Sequence, residues 1–248
     1  MRKLFFLAIT LTALSFSACK KSTDTLALPS INDFFPLLPG KYITYNLDST
    51  VYLNFGTVQA IRSYQVKHVV DALITDNLGR PAYRIIRYIR RLPTDPWSSD
   101  NTFMAVPTDF ALEFIENNFR FLKLKAPIRN GFSWKGNTYI DTYSLNSNVK
   151  YLDDWDYSYD SLYLPSRIGA TNIDSTLTIN QRDEVIGNPT NPSSYSERNF
   201  GAEKYAKGIG LVYRKFLHTE YQPPTPGHPI GTFSDGSYGV TLTMIDHN

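Results

Sequence analysis

Apolar and polar residues alternate two apart through most of this chain, and that repeat restricts it to strands. Ile43, Tyr45 and Leu47 share one side of the repeat, with Thr44, Asn46 and Asp48 on the other. The apolar side resumes at Val51, Leu53 and Phe55. Over residues 62–75 it returns as Tyr64, Val66, His68, Val70, Ala72 and Ile74. A period of two marks a half-buried strand, because successive side chains of a strand point to opposite faces. Asp76-Asn77-Leu78-Gly79 is a turn signal, and residues 83–91 read as the returning partner. Phe110, Leu112 and Phe114 begin another strand, Asn117-Asn118 offers a tight turn, and residues 119–125 run back. Further strands are expected over 134–145, 155–163, 173–179, 207–221 and 238–245. Residues 188–194 and 223–231 read as loops rich in Pro, Asn, Ser and Gly. An apolar stripe at helical spacing shows only weakly, over 109–117. No repeat of 20–50 residues suggests a propeller or solenoid. The expected fold is all-β: one large antiparallel sheet, folded as a sandwich or curled into a half-barrel, with at most minor helix. The aromatic content of 14%, with 17 Tyr, suits pleated strands.

The first residues set the location. Arg2 and Lys3 precede an apolar run over 4–16, and Ser17 and Ala18 stand before Cys19, the one cysteine of the chain. A charged start, a short apolar centre and a small-residue cleavage site make a secretory signal. The run is shorter than the roughly 18 residues that cross a bilayer as a helix. With Cys19 at the cleavage point the segment resembles a bacterial lipoprotein signal. That resemblance implies a mature chain beginning at Cys19, acylated there with chains such as palmitate and held in the outer membrane. The organisation expected is a signal peptide over 1–18, a lipid-anchored flexible tether over 19–30, and one β-rich domain over 31–248. An acylated Cys19 leaves no thiol for a disulfide, so the core alone must hold the fold.

Removing the leader takes Arg2 and Lys3 from the 25 basic residues and leaves 23, against 23 acidic ones. A neutral chain gives no electrostatic case for nucleic acid, which calls for a clustered basic face.

Two further stretches carry a resemblance. Phe34-Phe35-Pro36-Leu37 with Pro39-Gly40-Lys41-Tyr42 and Tyr45, and the late run from Tyr205 to Tyr213 (YAKGIGLVY), resemble segments of uncharacterised Gram-negative lipoproteins. That resemblance implies an exported β-rich domain and supplies no catalytic residue. Gly208 and Gly210 in the late run suit a bulge or a close backbone approach.

No nucleophile elbow, zinc-protease helix, phosphate loop or full dinucleotide fingerprint is present. No cofactor or metal is therefore expected. His68 falls on the apolar side of its strand and reads as a core histidine with a hydrogen-bond partner. His218 and Glu220 share a face but lack a third metal ligand nearby. Asp154, Asp156, Ser158 and Asp160 mimic the odd positions of a calcium loop, yet Tyr159 and Pro165 replace its glycine and its bidentate Glu. A solvated acidic face is the better account. Trp155, Tyr157, Tyr159 and Tyr163 alternate with those acids. Such rings are either the inner face of the sheet or a platform for sugar, with Trp155, Tyr157, Tyr159 and Asp156 as the candidate ligand-binding residues.

The function expected is a non-catalytic binding or structural module of the cell envelope. Its partners would be the membrane, through lipidated Cys19, and a carbohydrate or an envelope protein. A lipid or lipoprotein carrier with an apolar hollow and an envelope hydrolase are the alternatives.

Overall fold

The computed structural model describes residues 29–248. The signal peptide expected over 1–18, Cys19 and the tether as far as residue 28 lie outside the described residues. Ser30 caps a single-turn helix, α1 (Ile31–Phe34), its hydroxyl accepting from the Asn32 amide at 3.2 Å.

Thirteen strands then form one antiparallel sheet: β1 (Tyr42–Leu53), β2 (Val58–Thr75), β3 (Pro81–Arg90), β4 (Ser98–Pro107), β5 (Ala111–Glu116), β6 (Phe119–Lys125), β7 (Ser133–Lys135), β8 (Asp156–Ile168), β9 (Thr171–Gly187), β10 (Ser196–Ala206), β11 (Gly210–Gln222), β12 (Thr232–Phe233) and β13 (Tyr238–His247). Around the sheet the order is β6-β5-β4-β3-β2-β1-β13-β11-β10-β9-β8-β7, with β12 beside β11. The protein is all-β, and the sheet curls until its two edge strands nearly meet.

Backbone and side-chain hydrogen bonds finish that closure. The Leu122 amide donates to the Gly136 carbonyl at 2.8 Å, and Trp134 Nε1 donates to the Leu122 carbonyl at 2.8 Å. The Tyr159 hydroxyl accepts from the Lys125 amide at 3.1 Å and donates to the Lys125 carbonyl at 2.8 Å. It stands in for a neighbouring strand, so buried backbone groups of β6 keep partners.

The turns follow local chemistry. Asn117 and Asn118 take φ values of 52° and 65° between β5 and β6, as a two-residue hairpin turn needs. Asp76 Oδ1 accepts from the Leu78 and Arg80 amides, both at 2.9 Å, and so shapes the β2–β3 turn. Phe55, expected on the apolar side of β1, is instead 97% exposed, because Asn54, Phe55 and Gly56 form the β1–β2 turn with positive φ. Gly208 lies in the β10–β11 turn with φ of 75°, and Gly210 opens β11 with φ of 121°, where a Cβ would lie 3.2 Å from Ile43 Cδ1, a close approach of the kind expected. That turn takes the first three residues of the single strand expected over 207–221, and the rest is β11.

Other expectations are also corrected. Residues 134–145 contribute only Trp134 and Lys135 of β7 before the chain leaves the sheet, and the weak helical stripe at 109–117 is strand β5. Strands β4 and β10 carry no expectation from the sequence. In β10 the buried positions include Asn199, Gly201 and Glu203, so polar residues occupy the inner face and the alternation disappears.

The inner face holds the core, including Tyr45, Val66, Phe103, Leu177, Tyr205 and Phe216. One end of the barrel is covered by α1 and the residues after it: Phe34 is fully buried, and Phe35 meets the rings of Phe114 and Tyr205 at 6.0 and 6.2 Å. The irregular segment 136–155 covers the other end, with Val149 and Leu152 buried.

Candidate functional site

A belt of charged side chains crosses the barrel's interior. Lys123 of β6 donates to Glu203 of β10 at 2.6 Å, and the Tyr205 hydroxyl donates to the other Glu203 oxygen at 2.7 Å. Arg214 of β11 holds Glu116 of β5 with both terminal nitrogens, at 2.8 and 2.9 Å. Both pairs span the lumen, tying β5 and β6 to β10 and β11. Burying four charges is tolerable because each meets an opposite one with hydrogen bonds.

His68 of β2 lies beside this belt, with its ring 5.0 Å from Tyr45 and 5.3 Å from Phe103. Its Nε2 is buried and has no hydrogen-bond partner among the described residues, contrary to the partnered core histidine expected. Burial first, and then the Arg87 guanidinium, push its pKa down to about 3, so the ring is neutral at ordinary pH. Burial alone would raise the Glu116 carboxyl. Arg214 and Lys123 outweigh it and hold that pKa at about 2. Burial, reinforced by Glu203, pushes the Tyr205 and Tyr157 hydroxyls well above their ordinary range.

The belt divides the lumen into two cavities. The smaller, of about 60 Å³, lies toward α1 and is walled by Phe35, Tyr42, Ile209 and Leu211. The larger, of about 280 Å³, lies toward segment 136–155 and is walled by rings that include Tyr151, Trp155, Tyr157, Phe216 and Tyr238. His68, Gln181 and Arg214 also wall this larger cavity. Each of the three carries a buried nitrogen without a partner among the described residues: His68 Nε2, Gln181 Nε2 and Arg214 Nε. Leaving a buried polar atom without its hydrogen bond costs about 1–3 kcal/mol; Gln181 Nε2 and Arg214 Nε are donors in that state, and the His68 Nε2 role depends on which ring nitrogen carries the proton.

The structure separates the four candidate ligand-binding residues of the sequence. Trp155, Tyr157 and Tyr159 are 2, 2 and 1% exposed and point inward. Trp155 lies nearly parallel to Phe216 at 5.5 Å, and its Nε1 donates to the Tyr151 carbonyl at 2.7 Å. The Tyr157 hydroxyl donates to Asn137 at 3.1 Å, and Tyr159 closes the seam with β6. Asp156 is exposed on the outer face, in a shallow depression with Asp154, Arg182 and Glu184. It does not join the rings. Tyr163 leaves their row as well: it is 43% exposed at a φ of 58°, because register shifts on both sides of Leu162 break the pleat of β8.

The belt escaped the sequence reading. Its signal is a charge in phase with apolar neighbours: Glu116 after Leu112 and Phe114, Lys123 after Phe119 and Phe121, Arg214 between Val212 and Phe216. His218 accounts for itself within the wall, its Nδ1 2.8 Å from Asn199 Oδ1 and its ring stacked on Tyr151 at 3.7 Å. Among the described residues no three His, Cys, Asp or Glu side chains are grouped to hold a metal ion, and no helix is long and apolar enough to cross a membrane.

No family model and no curated protein matches the chain. Among solved structures, one from Bacteroides fragilis, assigned as an exported protein with a YmcC-like fold, covers 86% of this chain and 99% of its own at a TM-score of 0.41 and 11% identity.

Proposed function

We propose that this chain is a lipid-anchored, non-catalytic binding protein of the outer membrane that takes a hydroxyl-rich ligand, of the carbohydrate class, into the larger cavity of its barrel. The observation that carries the reading is the set of three unpartnered nitrogens in the aromatic wall of one cavity. Flat rings stack on sugar faces, and the unpaired N–H groups of Gln181 and Arg214 suit hydroxyl oxygens. A volume of about 280 Å³ lies near the lower end of ligand pockets, which run from about 300 to 1,000 Å³. The envelope address rests on Ser17-Ala18-Cys19 and the resemblance it carries.

The alternatives fit less well. A lipid carrier calls for a wide apolar hollow, whereas this lumen is crossed by two ion pairs. A hydrolase calls for a group that exchanges protons near the working pH. Glu116 and His68 are both displaced downward, and His68 touches no carboxylate by hydrogen bond among the described residues.

Two measurements test the proposal. Cys19→Ala should move the protein from the membrane fraction to the soluble one, and unchanged fractionation removes the anchor. Titrating the full-length chain with small saccharides and with palmitate should change tryptophan emission for a saccharide, through Trp155. Gln181→Leu should abolish that response without moving the melting temperature. A response to palmitate alone would overturn the reading in favour of a carrier.

A further inference from the structure

We propose that the end of the barrel covered by α1 docks on the bilayer surface, its apolar turn tips entering the headgroup layer and its cations facing anionic lipid. The inference rests on the proposed anchor at Cys19 and adds the face that meets the membrane.

The anchor's reach and the topology point to the same end. Cys19 stands ten residues before Pro29, which leads into α1. Ten residues reach at most about 35 Å when fully extended. Strand β1 alone is twelve residues, about 40 Å along its length, so the opposite end meets the bilayer only if those ten residues run back along the wall at full stretch. Neighbouring strands are antiparallel, and the connections therefore alternate between the two ends. Residues 29–41, 76–80, 108–110, 126–132, 169–170 and 207–209 lie at one end; 54–57, 91–97, 117–118, 136–155, 188–195 and 223–237 lie at the other. The Gly208 amide donates to the Asp33 carbonyl of α1 at 2.6 Å and ties the first set together.

Three turns beside α1 present an exposed apolar tip, Leu38, Leu78 and Phe110. Each tip is held out by its own turn. The Lys41 amide donates to the Leu38 carbonyl at 2.9 Å, Asp76 accepts from the Leu78 amide, and the Thr108 hydroxyl accepts from the Ala111 amide at 2.9 Å. The opposite end exposes apolar tips as well, Phe55 and Leu145 among them, so apolar area does not choose the end. Charge does. The connections beside α1 carry Lys41, Arg80, Arg129 and Lys207 against Asp33, Asp76 and Asp109. Those at the opposite end carry Arg91 and Lys150 against five aspartates, Asp95, Asp141, Asp153, Asp154 and Asp235. An anionic surface attracts the first end and repels the second. With α1 toward the bilayer, segment 136–155 and the larger cavity beside it face away from the membrane.

The test uses the full-length acylated chain with one added cysteine, Phe110→Cys or Leu145→Cys, carrying a fluorescent label. The chain is placed in vesicles of phosphatidylcholine and phosphatidylglycerol, with and without a lipid bearing a nitroxide near its headgroup. The nitroxide should cut emission at position 110 at least about twofold and leave position 145 unchanged, since docked apolar tips enter the headgroup boundary by about 5–10 Å. Arg129→Glu combined with Lys207→Glu should weaken the quenching at 110, as should omitting phosphatidylglycerol. Quenching at 110 that neither change moves overturns the role of the cations. Equal quenching at both positions, quenching at 145 alone, or none at either overturns the docking face, and sedimentation with the vesicles still keeps the anchor. The chain without an added cysteine separates the two readings. An acylated Cys19 takes no label, whereas labelling of Cys19 with loss of sedimentation removes the anchor and the docking face together.

Discussion

Asp156 and Tyr157 are neighbours in the chain and opposites in the wall. Tyr157 is almost wholly covered, touches Trp134 edge to face at 6.0 Å, and spends its hydroxyl on Asn137. Asp156 faces water. Truncating a buried aromatic residue typically costs about 3–5 kcal/mol through lost burial and the void left behind. Tyr157→Ala should therefore lower stability by about that amount, and Asp156→Ala by about 0.5 kcal/mol or less. Paired urea melts check both, and a parent-like melt for Tyr157→Ala would mean that the ring is not part of the core. At this scale the sequence told half the story. The alternation of rings and acids in β8 predicts their separation, and the structure shows it. The belt was hidden because its members come from four different strands: Glu116, Lys123 and Arg214 each stand as a single charge in an apolar row, and Glu203 lies in the polar inward row of β10.

Hairpins are the elements from which the wall is made, and their turns were the most legible part of the chain. Asp76 to Gly79 and Asn117-Asn118 act where their side chains and φ values predict. Gly56 shows what the sequence could not reveal. A Cβ at this position would lie 2.0 Å from the Phe233 carbonyl oxygen of β12, and its φ of 82° disfavours any side chain. Gly56→Ala is expected to cost more than about 1 kcal/mol, since alanine fits neither the angle nor the space. Chemical denaturation measures it, and a neutral result would mean that β12 does not lie against the β1–β2 turn. Strands β4 and β10 were missed for a different reason. In β10 a polar lumen reverses the usual code, so Asn199, Gly201 and Glu203 face inward where apolar residues are expected, whereas β4 opens on the polar run Ser98 to Thr102 and buries only Phe103, Ala105 and Val106 near its end.

For the whole molecule, the lumen sets the response to acid. His68 has a folded pKa of about 3 against an ordinary 6.5, so folding favours its neutral form. The stability it contributes is complete above pH 6.5 and is lost as pH falls from there toward about 3. Glu116, lowered from 4.5 to about 2, contributes above pH 4.5 and loses that contribution as pH falls toward about 2. Both act in the same direction, and His68 acts first. His68→Phe keeps a flat ring and removes the titration, so stability against pH should be flatter than in the parent between 6.5 and about 3. Urea unfolding at a series of pH values checks this, and an unchanged slope would mean that burial and the Arg87 guanidinium do not hold the His68 ring neutral. The strand order carries one more consequence. From β1 to β6, and from β7 to β11, each strand lies beside its successor in the chain, whereas β1 meets β13 over eight residue pairs drawn from opposite ends of the domain. Loop-closure entropy grows only with the logarithm of length, about 0.6 kcal/mol for each doubling. The fold thus concentrates its long-range ordering in that one pairing, where eight pairs in register share a penalty that a longer or shorter intervening chain would scarcely change.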